Sequence, residues 1–239
     1  MNKEAYQFIL EQEETHWWFV GKKRIIKKLL ATYFHEKALE GLDIGSGFGS
    51  IIPILKEYSE AIDVIEPWQE AKSFLVQNGA RNIIDISFPE ETLLHEYYFV
   101  TLFDVLEHFP DPAIVLATIR NNLLRERGKI MITVPAYQWL WSVHDETHHH
   151  YQRFTKKQLK ILLEQNGYRL IKLSYFMTFL FPLALIQRLM MRFIKSKEEF
   201  KAMNPFLNKV LTTIFTWESR WIPTINFPYG LSLVAIAER

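Results

Sequence analysis

Short apolar runs alternate with segments of helical period along most of this chain. The runs Leu39–Ile44, Ala61–Glu66, Arg81–Ile86, Tyr98–Asp104, Gly128–Val134, Tyr168–Tyr175 and Leu231–Ala237 are each bounded by Gly, Pro, Asn or Asp, or by charged residues. Apolar runs of this length with such punctuation predict buried strands. Between them, Ile51–Tyr58, Trp68–Gln77, Ala113–Leu124 and a segment from the capping Thr155 to Asn166 predict helices, the last stopped by Gly167. Strand–helix alternation predicts an α/β architecture on a mostly parallel sheet, closed by a strand pair at the end.

Two regions stand outside that alternation. Residues 1–38 read as helical: Tyr6, Ile9 and Leu10 lead to His16-Trp17-Trp18-Phe19, and Ile25, Ile26, Leu29 and Leu30 then recur at helical spacing with lysines opposite. The aromatic cluster either packs on the sheet as core or acts as a lid that covers a cationic ligand and excludes water. Residues 177–229 are long for a connection between adjacent strands. They hold two apolar stripes, Ile186, Leu189, Met190 and Phe193, then Leu207, Val210, Leu211 and Ile214, with Arg188, Arg192, Lys195 and Lys197 beside the first. This helical insertion is a pair packed on the domain or on a second subunit, or an apolar, basic-rimmed surface for a lipid-like ligand or a membrane face. The expected division is a lid at 1–38, a ligand-binding domain at 39–176 with 230–239, and the insertion at 177–229.

Composition narrows the function classes. The net charge is +1 over 239 residues, so no global field attracts nucleic acid. There is no cysteine, which removes disulfides and thiolate chemistry and agrees with a reducing compartment. The polar start Met-Asn-Lys-Glu is unlike a signal peptide, and no apolar run reaches the ~18 residues of a membrane span. The expectation is a cytoplasmic protein with peripheral membrane contact.

The chemistry concentrates first at Asp43-Ile44-Gly45-Ser46-Gly47-Phe48-Gly49. Glycines there allow positive φ and close approach of the backbone to a ligand. A helix starting at Ser50 or Ile51 would turn free N–H groups toward the same pocket. A dinucleotide fingerprint reads G-x-G-x-x-G, whereas these glycines read G-x-G-x-G behind a carboxylate. That carboxylate suits an ammonium or sulfonium charge and is unhelpful beside a pyrophosphate. Glu66, at the end of the second strand, is placed to accept from two ribose hydroxyls or is a solvated strand end. A second run, Asp104-Val105-Leu106-Glu107-His108 followed by Asp111-Pro112, crowds ionisable groups at a strand exit. Capping explains Asp111 and Pro112 but none of the others.

The two runs D-x-G-x-G-x-G and D-x-x-E-H-x-x-D-P resemble the first and fourth motifs of the class I S-adenosylmethionine-dependent methyltransferases, of the small-molecule type that includes the quinone-biosynthesis enzymes. The resemblance covers roughly residues 12–175 and 228–238. It implies a Rossmann-like seven-stranded sheet with helices on both faces and an antiparallel last strand. It also implies S-adenosylmethionine as cofactor and S-adenosylhomocysteine as product. Asp43, Gly45, Ser46, Gly47 and Gly49 would hold the methionyl end, Glu66 with Pro67 the ribose, and Asp85 with Ile86 the adenine. Ser87, Glu90 or Glu91 could serve in place of Asp85, and Asp104, Val105, Leu106 and Trp18 complete the set.

After the fifth strand, His144-Asp145-Glu146-Thr147-His148-His149-His150 invites a metal reading. The segment lacks a helical hydrophobic period, and no cysteine or distant ligand presents itself, so no metal is expected. The run instead resembles the segment after strand five in a bacterial methyltransferase subfamily, with Gln152 where an arginine often stands. His108 is the first candidate for a general base, because imidazole titrates near neutral pH, with His150 and His144 next. A structural histidine at the strand exit is the alternative for His108. The expected acceptor is a small or lipid-linked molecule, and the insertion is the expected surface for a homodimer. An NAD-dependent oxidoreductase and a non-catalytic binding or assembly protein remain the rival classes.

Overall fold

The computed structural model describes residues 10–91, 93–186 and 204–239. Seven strands form one sheet: β1 (Ala38–Ile44), β2 (Ser59–Ile65), β3 (Ile83–Ile84), β4 (Tyr97–Phe103), β5 (Leu124–Pro135), β6 (Arg169–Phe176) and β7 (Ser232–Glu238), in the order β3-β2-β1-β4-β5-β7-β6. All neighbours pair parallel except β7, which runs antiparallel to both β5 and β6. The sheet expected from sequence, Rossmann-like with a reversed last strand, is the one observed. Leu42, Ile62, Val64, Val100, Leu102, Ile130, Ile132, Val234 and Ile236 are all fully buried. Burial on both faces explains why these strands read as continuous apolar runs rather than alternating ones. Strand order reverses between β1 and β4, which opens a crevice above their C-terminal ends.

Among the described residues seven α-helices have defined ends: α1 (Trp17–Tyr33), α2 (Ile52–Leu55), α3 (Lys72–Gln77), α4 (Pro112–Thr118), α5 (Val143–Thr147), α6 (Lys156–Gln165) and α7 (Pro205–Glu218). The predicted helix over 113–124 ends earlier, because residues 119–123 form a single wide π turn and β5 already starts at Leu124. Asn121 and Asn122, poor helix formers, lie in that turn. The helix expected over 51–58 shrinks to the four residues of α2. The third strand shrinks as well: Arg81 and Asn82 turn their side chains to Asp63, at 2.6–3.0 Å, and leave the sheet edge to Ile83 and Ile84.

Between β6 and β7 the chain makes a large excursion that returns to the N-terminal helix. Asn204 caps α7 by accepting from the amides of Phe206 and Leu207. Asn208, one turn later, accepts from the Trp17 amide and donates to the Thr15 carbonyl, both at 2.8 Å. A Cβ at Gly21 would sit 2.0 Å from the Phe215 ring, so only glycine lets α1 cross so close to α7. Trp18 stacks on both Phe176 and Phe215, with ring centroids 6.3 and 5.9 Å away. Ile25, Ile26, Leu29 and Leu30 bury the next two turns of α1 in the core. Tyr6, Ile9, Leu189, Met190 and Phe193, with Arg188, Arg192, Lys195 and Lys197, lie outside the described residues.

Candidate active site

The crevice above β1, β2 and β4 is built around three carboxylates. Asp43, next to last in β1, is buried and accepts from the Thr101 hydroxyl of β4 at 2.6 Å. Burial, partly offset by that bond and by the charge of Lys22, pushes its carboxyl up to about 6. Glu66, just past β2, accepts from the Gly47 amide at 2.8 Å and from the Trp68 amide at 3.1 Å. It therefore ties the glycine loop to the strand end, a role beyond the ribose contact expected of it. A carboxylate has about four acceptor positions, so it keeps capacity for ligand hydroxyls. Burial raises its carboxyl against the pull of the two amides.

Gly45, Gly47 and Gly49 all have positive φ, at +68°, +54° and +78°. Gly47 is the informative one, because a Cβ there would meet no atom within 4 Å. The loop therefore curves around open space rather than around the protein's own side chains. Ser46 bonds back to the Asp43 carbonyl at 3.1 Å, and Val105 packs against Gly45. Since α2 has only four residues, the loop amides rather than a helix dipole form the cradle.

Asp104 follows β4 with φ of +59°. Its carboxylate accepts from Lys22 at 2.7 Å and from the Thr133 hydroxyl at 2.9 Å. Burial alone would raise it, yet the Lys22 ammonium and the Thr133 bond hold it below the usual range. Lys22 lies one turn beyond Trp18, so α1 brings a cation to the pocket's floor and an aromatic seam to its rim. Glu13 reaches the loop from the same side, hydrogen-bonded to the Ser50 hydroxyl. The other expected cofactor residues spread outward. Leu106 is fully buried, Ile86 half-buried and Pro67 exposed, while Asp85 is exposed and paired with Lys72 and Gln69.

Beyond Asp104 the crevice changes character. Residues Leu106–His108 form one tight turn that carries Glu107 inward. The Tyr151 amide donates to the Glu107 carbonyl at 2.8 Å and so docks the histidine-rich segment on this turn. His108 and His150 meet edge to face at 4.7 Å, and the ring centroids of His144 and His148 lie 4.0 Å apart. His150 Nδ1 lies 3.0 Å from Asp145, which Arg153 clamps through two bonds at 2.7 and 2.8 Å. The His150 bond and that clamp together hold the Asp145 carboxyl well below its ordinary range despite burial. Burial and the neighbouring histidines push His108 down to about 4 and His144 down to about 3, so both rings are neutral near pH 7. Neutral imidazoles can accept a proton or coordinate without first losing one.

The outer wall is aromatic. Tyr137 stacks on Tyr175 at 5.1 Å and approaches Trp139 and Phe181, and Phe181 in turn approaches Tyr229. Lys22, Thr101, Thr133 and Arg153 were absent from the sequence-derived site. Their contacts cross between distant segments, and no local spacing announces them. The Asp104–Glu107–His108 crowding did signal Glu107.

Residues 16–173, more than half of the chain, match the model of a family described as a methyltransferase domain. No curated protein matches the chain. Solved structures share its fold. An S-adenosylmethionine-dependent methyltransferase from Archaeoglobus fulgidus is 18% identical, with 97% of this chain and 99% of that one covered and a TM-score of 0.59. A Haloferax volcanii putative methyltransferase, solved with the Trm112 activator, is 13% identical, covering 98% and 94%, with a TM-score of 0.63. The N-methyltransferase NodS from Bradyrhizobium japonicum, solved with S-adenosylhomocysteine, is 10% identical, covering 91% and 86%, with a TM-score of 0.55. The residues present fit the cofactor these comparisons imply: an open glycine cradle at Gly47, buried carboxylates for cationic groups, and an acid at the end of β2. The chain belongs to the methyltransferase-domain family, as a class I enzyme with S-adenosylmethionine as cofactor and S-adenosylhomocysteine as product.

Proposed function

We propose that this chain methylates a hydroxyl group of a small or lipid-linked acceptor that enters beside His108 and His150. The observation that carries this reading is the edge-to-face contact of the His108 and His150 rings at 4.7 Å, just beyond the carboxylate of Asp104, with His108 held neutral by burial. The cofactor supplies a methyl group on a cationic sulfur, so the transfer needs alignment, exclusion of water and, for a hydroxyl, removal of a proton. In this reading Asp43 and the glycine loop hold the methionyl end and Glu66 the ribose. Trp18 and the first turns of α1 close the pocket, while Asp85 and Ile86 border the adenine side. His108, and after it His150 and His144, are the groups placed to assist loss of the acceptor proton.

The acceptor's apolar character is inferred from what surrounds that entrance. Tyr137, Trp139, Phe181 and Tyr229 cluster past the end of β5, and Trp139 and Tyr229 are about half exposed. Farther out, Phe206, Leu207, Trp217, Trp221 and Ile225 are exposed beside Lys209 and Arg220. Apolar surface with basic neighbours suits a membrane face or a self-association surface. Among the described residues no helix is long and apolar enough to cross a membrane. Methyl transfer from labelled cofactor to long-chain phenols and alcohols, against amines of the same chain length, tests the acceptor class; methylated amines and untouched hydroxyls would refute it. Flotation with vesicles containing phosphatidylglycerol tests the surface. Binding should be lost when Phe206→Glu and Trp217→Glu are combined, whereas a stable dimer that ignores vesicles contradicts the lipid reading.

A further inference from the structure

Glu107 is the anomaly of this site. It is fully buried, and among the described residues neither carboxylate oxygen meets a hydrogen-bond donor from another residue. Leaving one buried polar group unpaired costs about 1–3 kcal/mol, and a charge costs more. Every other carboxylate lining the crevice has partners, so the gap at Glu107 is local. Two imidazoles stand close enough to answer it through a shared cation. One nitrogen each from His108 and His150 and one Glu107 oxygen all lie within 4.8 Å of one another.

We propose that Glu107, His108 and His150 hold one divalent transition-metal ion, and that this ion binds the acceptor's hydroxyl oxygen. The proposal rests on the reading that the acceptor lies on this side of the crevice. Four features of the chain support it. Two imidazoles and one carboxylate are a donor set that first-row divalent ions accept, with coordination positions left over for a substrate oxygen. Bonds of about 2.0–2.2 Å would draw the three donor atoms to roughly 3–4 Å apart, a small closure from their present spacing. Asp145 takes His150 Nδ1 at 3.0 Å, which leaves Nε2 as the nitrogen a cation can use. A carboxylate held behind a ligating histidine is the usual outer support of such sites, and here Arg153 locks that carboxylate from both oxygens.

The histidine run looked unsuited to metal because its neighbours in sequence supply no complete set. The set is completed across the fold, by the turn after β4, through the backbone bond that docks Tyr151 on Glu107. In chemical terms the ion would lower the acceptor hydroxyl's pKa. The hydroxyl proton passes to water, and the oxygen forms its bond to the transferred carbon. The carbon–sulfur bond breaks with its electron pair going to sulfur. Proton removal then falls to the ion, with His108 as a ligand rather than the base. An acceptor with two neighbouring oxygens would chelate and be favoured over one with a single hydroxyl.

The test uses the full-length chain, stripped with a chelator and titrated with Co(II) followed by visible absorption. S-adenosylhomocysteine is titrated in parallel by calorimetry. One equivalent of Co(II) should bind, and Glu107→Gln and His150→Ala should each weaken it by about tenfold or more. Neither change should alter S-adenosylhomocysteine affinity by more than about twofold, because the binding groups for that ligand lie across Asp104. Glu107→Gln keeps the side chain's shape, so it covers the case in which His150→Ala fails to fold. A wild-type protein that binds S-adenosylhomocysteine without stoichiometric Co(II), or variants that bind Co(II) as wild type does, overturns the metal site. Co(II) bound with S-adenosylhomocysteine ignored would instead sink the methyl-transfer reading and keep the metal site.

Discussion

On the cofactor side of the crevice each buried carboxylate is answered by the protein itself: Asp43 by Thr101, Glu66 by two loop amides, Asp104 by Lys22 and Thr133. Beyond Asp104, Asp145 is over-answered, by Arg153 and His150, while Glu107 meets no donor from another of the described residues. The first arrangement is self-contained, a cradle that keeps its shape whether or not it is filled. The second is a rigid frame around an unpartnered carboxyl group, which burial pushes well above the usual carboxylate range. Both lie at the same sheet edge and are joined by one turn, Leu106–His108. One sheet edge thus holds two kinds of polar arrangement, one preorganised by its own hydrogen bonds and one that leaves a buried carboxyl unpaired.

The largest effect expected from breaking this contrast is on the frame. Arg153→Ala strands the buried Asp145 and should cost about 3–5 kcal/mol of stability, read by urea unfolding. If the two sides are independent, the folded fraction should still bind S-adenosylhomocysteine normally. A variant as stable as wild type would show that the clamp is ornamental.

Asp43 offers the next largest effect, and its sign is fixed by linkage. Its carboxyl rises from 3.8 to about 6 on folding. The proton is thus held more tightly in the folded chain, and the group favours folding at low pH. That contribution is present in full below about pH 4 and fades as pH rises through 6, a change of about 3 kcal/mol. Asp43→Asn does not titrate, so its stability minus that of wild type should grow across this window. The same change should weaken cofactor binding above pH 6, where wild type carries the charge. A constant difference between the two proteins from pH 4 to pH 7 contradicts the account.

Glu66→Ala should weaken S-adenosylhomocysteine binding by about 1–3 kcal/mol, through lost hydrogen bonds to the ligand and a loosened Gly47. Unchanged affinity in a folded variant would take Glu66 out of the site. The smallest effect belongs to the far surface: Phe206→Ser, at a side chain 78% exposed, should move stability by less than about 0.5 kcal/mol.

The cofactor side was the more legible of the two in sequence. Its glycine loop, Asp43 and Glu66 are local in the chain, and the apolar runs that carry them have strand length and turn residues at their ends. Parallel pairing buries both faces, so the runs stand out without alternation. The third strand and the helix after residue 112 were drawn too long for local reasons: Arg81 and Asn82 serve Asp63, and a π turn replaces the last helical turn. Lys22 was illegible as a site residue because its lysine neighbours on α1 have the same spacing, and only the tertiary fold sends this one to Asp104. The Glu107–His108–His150 cluster was hidden for the same reason, since its members lie on two distant segments.

The most direct test of the central claim is calorimetric titration of the purified full-length chain with S-adenosylhomocysteine, and separately with NAD. The account predicts saturable binding of S-adenosylhomocysteine at one site per chain and no heat from NAD. NAD binding, or no S-adenosylhomocysteine binding by a folded protein, would contradict it.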